Sequence, residues 1–387
     1  MNKEHTIQPH LVELRRALHQ CPEIGFQEQE TRRMLIAALE EEGLEVHGPV
    51  GGTGFFVEIK GSSPGPCVAY RADMDGLPIR DEKQVAYASR NEGYGHMCGH
   101  DVHSSIAFGV ACLLNERREQ IAGRVRVFWQ PAEEPNPSGA PEMIKDEILE
   151  GVEAVFGLHC DPQLSVGQIC ILPGMVTASF DKFDITLTAS QSLHTARPHQ
   201  GTDLMWVAHK IMAELYSLPG RLNNALNPCV IAVSKFQGGE THNVIPGQVS
   251  LGGTIRCARN DDRELIREHL ENLLKSFGKL YNIESGLDIG KGAPPVRNDP
   301  ELAAMAQRVI GEQKQIKTVY CTPSMGGEDF AHYTLQKPGL FMRLGTSSGP
   351  ATAHPVHTSL FDIDESVLEP GSRLVAKLLE HYLQTMK

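Results

Sequence analysis

Apolar residues in this chain follow two spacings. Cys67-Val68-Ala69-Tyr70, the run Arg124 to Gln130 and the run Ala154 to Leu158 are short and rich in strand-forming residues. Ser104 to Leu114 instead sets Ile106, Val110, Ala111 and Leu114 at helical spacing, and Leu11, Leu14 and Leu18 share one face of an amphipathic helix near the start. Strands that alternate with helices in this way predict a largely parallel sheet with helices on both faces.

The middle third has a different order. Phe183, Ile185 and Leu187 alternate as a strand, Asp203 to Leu218 reads as a helix, and Val230 to Phe236 and Val249 to Cys257 read as strands. A long amphipathic helix, Asp261 to Tyr281, and a final strand, Ile283 to Ile289, complete a β-α-β-β-α-β series, the split arrangement of a ferredoxin-like unit. The predicted fold class is therefore α/β: a domain of residues 1–178 and 293–387 with a mostly parallel mixed sheet covered by helices on both faces, interrupted by an inserted ferredoxin-like α+β domain of residues 179–292.

Composition narrows the picture. A chain of 387 residues exceeds one ordinary core, in keeping with two domains. The net charge of −12 argues against nucleic acid or an anionic membrane as partner. The opening Met1-Asn2-Lys3-Glu4-His5 is polar, with no signal-like apolar region, and no long apolar span follows, which predicts a cytoplasmic protein. The nine cysteines lack a compact framework spacing and suit reduced thiols.

The chemistry concentrates at the ends of the predicted strands. Cys98-Gly99-His100-Asp101-Val102-His103 enters the Ser104 to Leu114 helix, and the glycine lets the backbone turn so that Cys98 and His100 reach one point. Pro131 ends the second strand just before Ala132, Glu133 and Glu134, and His159 follows the third. Thiolate, imidazole and carboxylate are the donors that divalent transition metals take. Each residue alone has an ordinary reading, as a buried thiol, a core imidazole or a solvated loop pair. Their delivery to one sheet edge predicts a metal-dependent hydrolase. Upstream, Arg71-Ala72-Asp73-Met74-Asp75-Gly76 reads as a charged turn after a strand, where Asp73 or Asp75 can accept a hydrogen bond from a ligand histidine or cap the turn.

In series, Arg71-Ala72-Asp73-Met74-Asp75, Cys98-Gly99-His100-Asp101, Gln130-Pro131-Ala132-Glu133-Glu134, Gly157-Leu158-His159, Asn243-Val244-Ile245-Pro246, Gly253-Thr254-Ile255-Arg256 and Glu328-Asp329-Phe330 resemble the motifs of the metallo-aminoacylase branch. That branch holds hippurate hydrolases, N-acyl-amino-acid amidohydrolases and plant auxin-conjugate hydrolases, within the superfamily of acetylornithine deacetylase and glutamate carboxypeptidase. The resemblance implies a pair of divalent metal ions per subunit, zinc or manganese with cobalt or nickel also accepted, on Cys98, His100, Glu134, His159 and His357, with the cysteine shared. His357 is preferred over His354 because His357-Thr358-Ser359-Leu360-Phe361 matches the closing His-x-x-x-Phe element. Glu133 becomes the general base, and Asp73, Asp75 and Asp101 become partners of the ligands.

The resemblance also makes the inserted domain a lid that pairs two subunits, with His194, rather than His199, steadying an oxyanion. Ser190-Gln191-Ser192-Leu193 stands where the family commonly carries glycines before that histidine. Asn243 and Arg256 would clasp the substrate carboxylate, for which a guanidinium fork is suited. Roles for Glu328, Asp329 and Cys160 stay open. The implied activity is hydrolysis of small N-acetyl or N-aroyl amino acids. A carboxypeptidase or dipeptidase on short peptides, and a catalytically silent ligand-binding homologue, are the alternatives.

Overall fold

The computed structural model describes residues 6–290 and 292–385. Met1–His5, and the reading placed on their polarity, lie outside the described residues. The chain forms two compact units. One takes in the described residues up to Val176, Arg297–Thr322 and those from Asp329 on, and the other comprises Thr177–Val296 with Pro323–Glu328.

The first unit is built on an eight-stranded sheet in the order Val46–Val50, Gly54–Lys60, Ala122–Gln130, Ser63–Asp73, Ala154–Ser165, Gly339–Ser347, Gln168–Cys170, Lys317–Val319. The central four strands run parallel, as the alternating pattern predicts, and antiparallel pairings flank them. These strands are buried almost throughout, so they carry near-continuous apolar runs rather than alternation. The helices His100–Glu116 and Leu368–Thr385 pack on each other and on the strand Ser63–Asp73. Leu11 and Leu18 of the helix Gln8–His19 join the same core.

Two strands run further than their apolar cores suggested. Ser63–Asp73 keeps its pairing through Asp73, opposite Gln130, so Arg71 and Asp73 are strand residues and not part of a turn. Ala154–Ser165 continues past His159, which pairs with Arg343 in the neighbouring strand and so lies mid-strand instead of at a strand end. In both cases the ladder on either side satisfies the backbone and carries polar residues along with it.

The second unit has its own antiparallel sheet, ordered Cys229–Gln237, Gln248–Cys257, Asp181–Thr188, Glu284–Gly290, with the helices Leu204–Arg221 and Asn260–Tyr281 packed on it. Phe183, Ile185 and Leu187 point into its core. Asp203 caps the first helix by accepting from the amides of Met205 and Trp206. This element order and strand order realise the ferredoxin-like arrangement read from the sequence.

The thiols depart from the expectation that all are reduced. Cys170 and Cys321 form a disulfide with Cα atoms 6.1 Å apart, and the other seven are free. Parallel pairing of Gln168–Cys170 with Lys317–Val319 brings together residues 151 positions apart, a proximity that linear spacing does not reveal. Among the described residues no helix is long and apolar enough to cross a membrane.

Phe156 lies in the central sheet with no exposure and packs edge-on against Tyr382 of the last helix. Phe156→Ala should destabilise this unit by about 3–5 kcal/mol in denaturant titration, the range for removing a buried aromatic side chain.

Candidate metal centre

Gly99 sets the geometry of the centre. It adopts φ +87°, and a Cβ there would lie 2.2 Å from the Cys160 Sγ, so the turn into the helix His100–Glu116 accepts no side chain at that point. Cys98 is thereby held just ahead of His100. The Cys160 thiol donates to the Cys98 carbonyl at 3.3 Å, which makes Cys160 a buried support of the turn.

Cys98 Sγ sits between two sets of donors. His159 Nε2 lies 3.4 Å from it on one side, and His357 Nε2 lies 3.3 Å away on the other. Cys98, His100 and His159 form one group whose donor atoms are mutually within 4.8 Å, and Cys98, Glu134 and His357 form another. Glu134 Oε1 is 3.1 Å from His357 Nε2 and 3.9 Å from His100 Nε2. Glu133 completes a third group with His100 and Glu134. His357 reaches this place through a left-handed backbone (φ +62°), held by its N–H donating to the Met97 carbonyl at 2.6 Å.

The imidazoles are oriented from behind. His100 Nδ1 is 3.0 Å from Asp75 Oδ1, and His159 Nδ1 donates to the Cys160 carbonyl at 2.7 Å, so both rings turn Nε2 toward Cys98 and Glu134. The same Asp75 carboxylate accepts from the amides of Glu133 and Glu134, each at 3.1 Å. Asp73 bonds His103 Nδ1 at 2.6 Å and Arg71 at 2.6 Å, and its Oδ2 is 3.7 Å from His100 Nε2. Asp101 turns the other way, to Arg15 Nε at 2.8 Å and His19 Nδ1 at 2.7 Å, anchoring the helix His100–Glu116 to the first helix.

The supporting roles of His103, Gln130, Arg71 and Asp329 were not legible beforehand. His103 Nε2 accepts the Cys160 amide at 2.9 Å while Nδ1 serves Asp73, so one ring joins the helix to the strand that carries His159. Gln130 and Arg71 both bond Asp329 at 2.7 Å. Asp329, left open by the sequence, also accepts the Ala140 amide, and its own amide donates to Glu133 Oε1 at 3.3 Å. Burial pushes the Asp329 carboxyl up to about 6 against the pull of Arg71 and Gln130.

His100 Nε2 is buried without a hydrogen-bond partner, and Glu134 Oε1 is buried with His357 Nε2 facing it. Donor atoms of this kind, converging with a thiol and two further imidazoles, fit divalent cations. The electrostatics agree. Burial, then Glu134 and Glu133, push the Cys98 thiol far up, and although burial opposes a charged His100 ring, Asp73, Asp75 and Glu134 raise it to about 10. Burial foremost favours the neutral Cys98 thiol, and the surrounding carboxylates favour the charged His100 ring.

His194 and Asn243, both in the second unit, lie apart in sequence but meet locally. His194 and Val244 are paired in a two-stranded ribbon, Thr195 N–H donates to the Asn243 carbonyl at 3.1 Å, and His194 Nδ1 accepts the Ala196 amide. That last bond leaves the His194 proton on exposed Nε2. Arg256 lies 4.5 Å over the Phe180 ring and donates to the Met325 carbonyl at 2.7 Å. Glu328 is buried in this unit, His199 is exposed and His354 is half-buried.

A mixed α/β sheet that presents thiolate, imidazole and carboxylate donors together defines the class of metal-dependent hydrolases. The chain belongs to the Peptidase family M20/M25/M40, which it matches over residues 69–381. It is 36% identical over 381 residues to an N-acetylcysteine deacetylase of Bacillus subtilis (strain 168), covering 97% of this chain and 98% of that one. It is 34% identical to an N-acetyldiaminopimelate deacetylase of Geobacillus sp. (strain WCH70), covering 93% and 94%. A solved Bacillus subtilis structure, a dinuclear metal-binding peptidase from the M20 family, superposes with TM-score 0.86 at 33% identity, covering 98% and 99%. The aminoacylase resemblance drawn from the motifs holds.

Because Cys98 and His100 keep their protons at neutral pH, a cation bound through both must expel them. Calorimetric titration of metal-free protein with Zn²⁺ at pH 7.5, in buffers of different ionisation enthalpy, should show release of about two protons per centre, with affinity falling as pH is lowered. Binding with no proton release would remove Cys98 and His100 from the ligand set.

Proposed function

We propose that this protein is a metal-dependent amidohydrolase that cleaves N-acyl amino acids, N-acetyl or N-aroyl, to a carboxylic acid and a free amino acid. The observation that carries this reading is the position of the Cys98 thiol between two donor groups, with Glu133 beside Glu134 at the edge of both. Cys98, His100, Glu134, His159 and His357 would hold a pair of divalent ions, zinc or manganese, with cobalt or nickel also accepted. When bound, such ions polarise an amide carbonyl and lower the pKa of water from 15.7 toward roughly 7.

Glu133 is the general base in this reading. Its carboxylate takes the proton of the attacking water and returns it to the departing amine, an exchange typically worth about 10² to 10⁴ in rate. The Asp329 amide at 3.3 Å restrains Oε1, and Asp75 fixes its backbone. His194 supplies an Nε2–H for the oxyanion, and Asn243 and Arg256 bind the substrate carboxylate, with the Phe180 ring and the Met325 carbonyl holding the guanidinium in place. Relatives named as deacetylases of N-acetyl amino acids support this substrate class.

Pairing of two subunits through the second unit is part of the same reading. Its strand Cys229–Gln237 is a sheet edge, and Trp206, Tyr216, Val230 and Phe236 are exposed on the strand or the adjacent helix. An edge of this kind is a template for a second copy.

Release of free amine from a panel of N-acetyl and N-aroyl amino acids, with dipeptides alongside, tests the activity. Turnover of the acylated compounds above the dipeptides is expected. Binding without amine release would leave a silent ligand-binding protein, and faster dipeptide cleavage would make it a peptidase. Glu133→Gln should lower kcat by about 10² to 10⁴ while the protein keeps its full metal content by elemental analysis.

A further inference from the structure

The consecutive amides of Ala132 and of the paired glutamates are captured by two buried carboxylates. Glu133 and Glu134 donate to Asp75, and Ala132 N–H donates to Glu28 Oε1 at 2.8 Å. The second oxygen of Glu28 accepts the Thr53 hydroxyl at 2.6 Å. Glu28 has no exposure, so water cannot stand in for it. Ala132 is also fully buried and has φ +53°, a left-handed conformation that an alanine keeps only when its surroundings impose it.

Glu28 occupies the N-cap position of the helix Gln29–Glu41, yet its side chain makes no cap bond to that helix. An N-cap carboxylate ordinarily serves its own helix. Here it reaches across to residues 53 and 132. The backbone beside it is pressed on the same loop, for a Cβ at Gly25 would lie 2.8 Å from Pro135 Cγ and 2.9 Å from the Ala132 Cα. Ile24–Glu28 thus braces Ala132–Pro135 from one side, while Asp75 holds it from the other. Burial pushes the Glu28 carboxyl up to about 7, with the Asp75 charge adding to the rise against the Thr53 hydrogen bond.

We propose that Glu28 is a positioning residue, which locks the left-handed turn at Ala132 and so sets the aim of Glu133 and the reach of Glu134 toward the cations. Its effect on turnover rests on the amidohydrolase reading above. Its effect on the loop and on metal affinity does not. The geometry asks for two acceptors, or one acceptor and one donor facing a hydroxyl, and glutamine meets the second description.

Wild type, Glu28→Ala, Glu28→Gln and Thr53→Val should be compared by hydrogen–deuterium exchange over residues 130–136, by Zn²⁺ titration, and by kinetics on N-acetyl amino acids. Glu28→Ala should exchange faster in that segment alone, bind Zn²⁺ about tenfold more weakly, and lose about 10²-fold in kcat with KM little changed. Glu28→Gln should restore most of each loss, and Thr53→Val should fall between. Unchanged exchange and affinity in Glu28→Ala, or equal damage in Glu28→Gln, would overturn the proposal. If Glu28→Ala does not fold, wild-type exchange in Thr53→Val overturns it instead. Should the wild type release no amine from any N-acyl amino acid, the amidohydrolase reading fails, while exchange and Zn²⁺ affinity still decide the role of Glu28.

Discussion

The Asp75 carboxylate receives His100 Nδ1 on one oxygen together with the Glu133 amide, and the Glu134 amide on the other. Those donors come from the start of a helix and from the loop after a neighbouring strand, so one side chain just past the end of a third element sets the spacing between the His100 imidazole and the Glu134 carboxylate. The arrangement suits a carboxylate, whose two oxygens have lone pairs enough for three donors. Glu133, Glu134 and His100 share this anchor. Displacement of one moves the others.

Around that anchor the molecule spends most of its buried charge. Arg71 bonds Asp73 and Asp329, Gln130 bonds Asp329, and Arg15 pairs with Asp101 and Asp362, all with little or no exposure. Buried ion pairs add little net stability, because desolvation offsets their attraction. Their value here is positional. Asp101 adjoins His100, Asp73 faces His100 and His103, and the Asp329 amide holds Glu133, so the precision of the centre is built by its surroundings.

Much of this was legible in the sequence. The parallel core strands, the β-α-β-β-α-β order of the second unit and the gathering of Cys98, His100 and Glu134 follow from apolar periodicity and from donor chemistry at element ends, whereas His159 joins them from mid-strand. What escaped did so for physical reasons. Glu28 lies in Gln27-Glu28-Gln29-Glu30, which reads as a solvated run, and only tertiary contact shows that one of those carboxylates is fully buried. His103 reads as a helix-face residue whose partners, Asp73 and the Cys160 amide, are 30 and 57 positions away. The pairing of Cys170 with Cys321 depends on strand register, which periodicity does not encode. The continuation of Ala154–Ser165 past His159 escaped because ladder bonding, and not apolarity, sustains it.

The close approach of Gly99 to Cys160 constrains what descendants of this sequence can be. The cysteine sulfur occupies the volume that any side chain at position 99 would need. A bulkier residue at 160 would press on the glycine backbone, and a methyl group at 99 would meet the sulfur. The two positions, 61 residues apart, are therefore expected to drift as a linked pair, with small atoms retained at both, whatever acyl group a lineage comes to favour.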